Sequence, residues 1–204
     1  RQLKDKLGHN SVLMQLPIGL EDRHEGVIDL VAMKAYYFEG DHGEHVSVTD
    51  IPENMQDQAQ EAREEMIDAA SLFSEELTDA ILEESDISDD MIKKAVRTGV
   101  LARQIIPVFL GSAYKNKAVQ PLLDAVIDYL PSPLDINNEA IDLNNNEESV
   151  LLESNFDKPT VALAFKLEDG QYGQLTYIRV YQGCIAKGDT LINSRDGKKV
   201  KAGR

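Results

Sequence analysis

"IIPVFLGSAYKNKAVQPLLDAV" occupies residues 105–126, and three changes of character inside it decide the fold. Residues 105–110 form a continuous apolar run, the pattern of a strand buried on both faces of a mostly parallel sheet. The run stops at Gly111-Ser112-Ala113, where small residues let the backbone approach a ligand closely. A helical period then begins. Val119, Leu122, Leu123, Val126, Ile127 and Leu130 recur at i, i+3, i+4, i+7, i+8 and i+11. Pro121 falls in the first turn, where its missing N–H costs little, and Pro131 and Pro133 stop the helix. Strand, tight turn and helix in this order make an α/β unit, whose ligands sit beyond the carboxyl ends of strands.

The turn has two readings. In one, Asn116 is simply the N-cap of the helix that follows. That leaves Lys115 and Lys117 unexplained, because cations at the positive end of a helix dipole cost a few tenths of a kcal/mol each. In the other, a local rule broken without local compensation marks a binding site.

Outward from this stretch, residues 12–48 predict short strands and tight turns. "SVLMQLPIG" is stopped by Pro17 and Gly19, and "GVIDLVAMKAYYFEG" is β-branched and aromatic. Asp41, His42, Glu44 and His45 in the turn "GDHGEH" lack any further Cys or His to complete a metal site, so a solvated polar turn is expected there. From Pro52 the period becomes helical, with Met55, Ala59, Ala62, Met66, Ala69 and Phe73 on one face. Asp57, Glu61, Glu64, Glu65 and Asp68 repeat the same spacing on another face. Ser74 and Ser88 read as N-caps of two shorter helices, each with acids in its first turn. Beyond Leu130, "SPLDINNEAIDLNNNEESVLLESNFDK" reads as a polar linker. From Pro159 the pattern is β again, with Asp196-Gly197 a strong hairpin signal. Regular short strands with glycine turns suggest part of a β-barrel.

Charge is unevenly spread over the 204 residues, whose formal net charge is −15. Residues 53–90 hold 14 acidic side chains against one base, Arg63, whereas 8 bases face 4 acids from Pro159 onward. This asymmetry suggests two surfaces with different partners. A membrane partner is not expected, because no stretch has membrane-spanning length and no signal-peptide pattern occurs. The single Cys184 cannot form an internal disulfide, which fits a reducing, cytoplasmic location. The termini, RQLKDKLG and KKVKAGR, read as cut from a longer protein.

"PVFLGSAYKNKAVQPLLDAVIDYLPSPLD" resembles the end of the GTP-binding domain of elongation factor G, where a G-S-A-x-K-N-x-G-V-Q stretch is the fifth guanine-nucleotide motif. "LPIGLEDRHEGVIDLVAMKAYYF" resembles the subdomain that family inserts into its GTPase fold. "AFKLEDGQYGQLTYIRVYQGCIAKGDTLINS" resembles the start of its second domain, a β-barrel. These matches follow the family's order and cover essentially the whole chain. The resemblance implies α/β and α+β architecture, divided as a GTPase-domain helix remnant (1–11), an inserted α+β subdomain (12–104), the last strand and helix of the P-loop GTPase domain (105–131), a linker (132–158) and a partial barrel (159–204).

It also implies a site. Ser112 and Ala113 would contact the guanine base, largely through the main chain, with Gly111 allowing the close approach and Tyr114 and Lys115 supporting the loop. Ala118 departs from the family, which usually has Gly there. Neither G-x-x-x-x-G-K-[ST] nor N-K-x-D is present, and the family places the latter just upstream of residue 1. The parent would use GTP/GDP with Mg²⁺, while this chain alone is expected to bind neither tightly and to hydrolyse nothing.

The resemblance implies a ribosome-dependent GTPase that promotes tRNA and mRNA translocation, with no DNA partner. Its acidic stripe (Asp57, Glu61, Glu64, Glu65, Asp68) would face the ribosomal stalk protein by electrostatic steering. The basic strands carrying Arg179, Lys187, Arg195, Lys198, Lys199 and Lys201 would face small-subunit rRNA phosphates. Each charged face also has a plainer reading, a solvated surface kept for solubility, and this weighs more for the acids than for the basic strands. An acidic interaction module would not require the strand, Gly-Ser-Ala turn, lysines and helix in sequence, and a nucleic-acid-binding barrel would carry an aromatic-rich basic face that this sequence lacks.

Overall fold

The computed structural model describes residues 2–40, 42–171 and 173–203, and is a mixed helix-and-sheet structure. Contacts divide it into two compact units, one ending at Leu130 and the other beginning at Pro131.

The first unit opens with helix α1 (Gln2–Leu7), which buries no residue. Strand β1 (Ser11–Leu13) leads through Met14 into β2 (Gln15–Ile18), β3 (Gly26–Asp29), β4 (Lys34–Glu39) and β5 (His45–Thr49). β2 to β5 form an antiparallel meander in sequence order. β1 stands apart from it, pairing in parallel with β6 (Ile106–Val108) in the register Val12 to Pro107. Met14, 1% exposed, couples the two sheets: its N–H donates to Val108 O, and its carbonyl accepts from Leu30 N, both at 3.0 Å. The sequence carries no break at this change of sheet, which is why residue 12 read as the start of the meander.

Between β5 and β6 lie α2 (Gln56–Ser71), α3 (Glu75–Leu82) and α4 (Asp89–Leu101). Ser74 Oγ accepts from Leu77 N and Ser88 Oγ from Met91 N, so both serines cap their helices as their sequence position suggests. The apolar face of α2 meets the core as its periodicity requires. Ala59 and Met66 are buried, while Met55, Ala62, Ala69 and Phe73 pack partly buried against the same cluster. With Ile28, Leu77, Ile92, Val96 and Ile105 they form one continuous core. Each large apolar side chain fully buried there contributes roughly 1.5–3 kcal/mol. Arg63, the lone base of the acidic segment, is turned inward: its guanidinium donates to Leu30 O at 2.6 Å and to Val31 O.

α5 (Val119–Tyr129) corrects the sequence reading. Ala125 and Tyr129 are its buried residues, whereas Leu122, Leu123, Val126, Ile127 and Leu130 are 45–77% exposed. Nor is the apolar run before it covered on both faces, for Ile106 is 41% exposed. Periodicity records which side of a helix is apolar but not which neighbours exist to cover it. Among the described residues α5 packs chiefly on α4, so a single stripe finds a partner. α4 holds the end of α5 through Arg97, which donates to the carbonyls of Ile127, Asp128 and Leu130, and through a Lys93–Asp128 ion pair of 2.9 Å.

The second unit consists of three antiparallel strand pairs: β7 (Asn138–Asp142) with β8 (Glu148–Leu152), β9 (Val161–Gly170) with β10 (Gly173–Gln182), and β11 (Thr190–Ile192) with β12 (Lys199–Lys201). The stretch expected as a linker thus contains a hairpin. Its polar composition hid short apolar pairs on each strand, Ala140-Ile141 and Val150-Leu151, of which Ala140 and Val150 face each other across the ladder. Asp196-Gly197 does turn the chain between β11 and β12, with Gly197 at φ +68°. No closed barrel forms among the described residues, and β9 and β10 are exposed along most of their length.

Candidate functional site

Leu110–Ala118 leave the carboxyl end of β6 as a closed loop. Ser112 and Lys117 face each other across it, each amide donating to the other's carbonyl at 2.9 and 3.0 Å. Between them Ala113–Lys115 make one 3₁₀ turn, with Lys115 N donating to Ser112 O and Asn116 N to Ala113 O. A side chain at Gly111 would put its Cβ 2.7 Å from Lys117 O, so the strand can enter only as glycine.

Asn116 is not the N-cap of α5. It sits left-handed at φ +49° and ends the 3₁₀ turn, while the N-cap position belongs to Ala118, at φ +62°. The sequence reading failed here because an asparagine before a helix fits both roles: Asn caps helices and also tolerates the left-handed region. Ala118 carries the strain of that region where the family usually has Gly, and its methyl is buried with Val27, Phe38, Tyr36 and Leu110.

The side chains holding the loop differ from those expected. Tyr114 is 99% exposed and Lys115 is also exposed, so neither braces it. Lys117 does: its Nζ donates to His24 O at 2.8 Å. Gln15, 1% exposed, accepts from Leu110 N through Oε1 at 3.1 Å. The unexplained pair of lysines therefore splits into one structural cation and one solvent-facing cation. Gln15 escaped the sequence reading because a lone Gln in a strand gives no local signal of burial.

The outer surface of the loop presents unused donors. The amides of Ala113 and Tyr114 donate to no group among the described residues, whereas Ser112 N is consumed by the Lys117 carbonyl. The loop thus offers main-chain N–H groups to a flat ligand bearing a carbonyl, the complement of a purine edge. No phosphate-binding loop accompanies it in the sequence.

The remaining candidates lie elsewhere. Asp57, Glu61, Glu64, Glu65 and Asp68 are all exposed on α2, with Glu64 accepting from Gln60 Nε2. A groove of about 700 Å³ beside them is lined by Ile67, Ile81 and Ile87 and rimmed by Glu64, Asp68 and Glu84. In the second unit Arg179 stacks on Tyr181, 4.6 Å from the ring centre, Lys198 pairs with Asp196, and Lys199 and Lys201 lie on β12. In the polar turn, Glu44 accepts from His42 N, and its carboxyl is held below the usual range chiefly by backbone hydrogen bonds. Asp41 and Tyr172 lie outside the described residues.

No family model matches the sequence. Its whole length is 60% identical to elongation factor G 1 of Syntrophus aciditrophicus and to elongation factor G 2 of Anaeromyxobacter dehalogenans, and 54% identical to elongation factor G 1 of Desulfotalea psychrophila. The chain spans 29% of the length of each of these relatives. A crystal structure from Thermus thermophilus is similar over 98% of this chain and 27% of its own, with a TM-score of 0.72 and 26% identity. At 54–60% identity over its whole length, the chain corresponds to a part of elongation factor G.

Proposed function

We propose that the chain is the part of a ribosome-dependent translational GTPase that contributes the base-contacting loop of its nucleotide site. The observation that carries this reading is the exposed, unpartnered Ala113 amide in a loop matching the family's fifth guanine motif. Ala113 N–H, with Tyr114 N–H beside it, donates to the guanine carbonyl. Ser112, its own amide engaged with Lys117, packs against the base, and Gly111 lets the strand come close. Lys115 adds positive charge at the rim. The nucleotide, GTP or GDP with Mg²⁺, supplies the scissile phosphate. Phosphates and metal are held by segments other than these 204 residues, so this chain alone neither hydrolyses GTP nor holds it tightly.

In the whole protein, hydrolysis drives tRNA and mRNA translocation on the ribosome in the cytoplasm. The exposed acids of α2 suit docking of the stalk protein, whose approach they accelerate by steering. Arg179, Lys198 and Lys199 suit rRNA phosphates.

Ala113→Pro tests the base contact cleanly. Residue 113 opens a 3₁₀ turn, where proline's φ fits, and Ser112 at φ −128°, ψ 95° is already in the extended region, a small ψ adjustment from the range favoured before proline. The substitution removes one donor and leaves the backbone in place. In full-length elongation factor G carrying this stretch, GDP affinity should fall about tenfold, the worth of one hydrogen bond. Unchanged affinity would remove Ala113 from the site.

A further inference from the structure

We infer that the β4–β5 turn is a positioning element for the Ser112–Lys117 loop, with Gly43 as the point of contact. This rests on the nucleotide reading above. Gly43 is buried although His42, Glu44 and His45 around it are exposed, and its φ is +62°. What covers it is the loop itself. A Cβ at Gly43 would lie 2.9 Å from both Lys115 O and Asn116 O, the two carbonyls that end the 3₁₀ turn. Gln120 Nε2, in the first turn of α5, reaches Gly43 O at 3.5 Å.

The turn is one of several ties between the meander and the loop. Gln15 on β2 holds Leu110, the β2–β3 connection holds Lys117 through His24 O, and Val27 and Phe38 seat the Ala118 methyl. The loop is thus built on the meander sheet as much as on its own strand. Those ties are not saturated: Gln15 Nε2, His24 Nε2 and Gln120 Oε1 are buried without partners among the described residues, and all three belong to residues that tie the meander to the loop or α5. The contact at Gly43 is with backbone carbonyls, which cannot swing aside as a flexible side chain can, so displacement of the turn is passed to the loop.

Two substitutions separate contact from backbone strain. Gly43→Asn keeps a residue that tolerates positive φ but drives a Cβ into the loop carbonyls. Gly40→Ala strains the same turn at φ +93°, yet the nearest atoms its Cβ meets belong to the flexible Glu44 carboxylate. Release of a fluorescent GDP analogue would be followed by stopped flow in full-length elongation factor G carrying this stretch. Amide shifts of residues 112–117 would be followed by NMR in this chain. Gly43→Asn should speed release by about 2- to 30-fold and move the loop amides, the range expected for coupling through packed networks. Gly40→Ala should do neither.

Equal effects from both variants would reduce the result to turn strain and overturn the proposal. So would unmoved loop amides in Gly43→Asn. If the amides move while release is unchanged, Ala113→Pro identifies which idea fails. A weakened Ala113→Pro protein refutes positioning by Gly43, and an unaffected one refutes the nucleotide reading itself.

Discussion

Gly99, in the last turns of α4, poses a question of sign that the geometry answers. Alanine is favoured over glycine in a helix by about 1 kcal/mol, so Gly99→Ala should stabilise if the site is open. It is not open. The new methyl would stand 2.7 Å from both Cδ1 and Cγ1 of Ile105 and 2.9 Å from Cδ2 of Phe73, where carbon atoms prefer about 3.5–4.0 Å. Ile105 is 2% exposed and has nowhere to swing. Overpacking of this kind costs about 1–3 kcal/mol, which leaves Gly99→Ala destabilising by roughly 1 kcal/mol. Ile105→Ala alone should cost about 2–5 kcal/mol. In that background the methyl has room, and only the half-buried Phe73 ring must turn. The same Gly99→Ala change should then stabilise by about 0.5–1 kcal/mol, giving a coupling of about 2 kcal/mol across the cycle. Urea unfolding of the four proteins, followed by far-ultraviolet ellipticity, measures this directly. All five α-helices among the described residues belong to the first unit, so the signal reports that unit. A stabilised Gly99→Ala protein, or the same sign in both backgrounds, refutes the packing argument.

Two further outcomes follow from polar contacts. Arg97→Met removes three donor contacts from the end of α5, two of them exposed enough for water to replace, so it should destabilise by about 1–2 kcal/mol and speed amide exchange in α5 first. Uniform exchange rates in wild type and variant would show that the helix end does not depend on Arg97. Asp29 titrates above its ordinary value of 3.8, principally because burial disfavours the charge, although the Val31 and Ala32 amides at 2.8 and 2.9 Å oppose the shift. The folded protein therefore keeps this proton to higher pH than the unfolded chain. Its contribution to stability declines as pH rises from about 4 through the raised folded value. Asp29→Asn, isosteric and still an acceptor, should flatten that decline in thermal melts across the window. Identical pH slopes would show that Asp29 is not the group responsible.

Local chemistry alone settled much of this protein. The serine caps at 74 and 88, the apolar face of α2, the Asp196-Gly197 turn and the strand–turn–helix at 105–126 all depend on residues a few positions apart, and a sequence displays those spacings openly. The Gly-Ser-Ala loop was recognisable for the same reason. Other features needed the fold. The parallel pairing of β1 with β6 joins segments far apart in the chain, and no local signal marks where the chain leaves one sheet for the next. Which side of α5 is buried depended on α4 packing against it. The loop's support came from Gln15, His24 and Gly43, each remote in sequence and ordinary in its own neighbourhood. Asn116 took left-handed backbone inside the loop that Ser112 and Lys117 close, and Ala118 took it just beyond, at the start of α5. The identity of the loop lay in its residues, whereas its shape and anchorage were decided by contacts that only folding brings together.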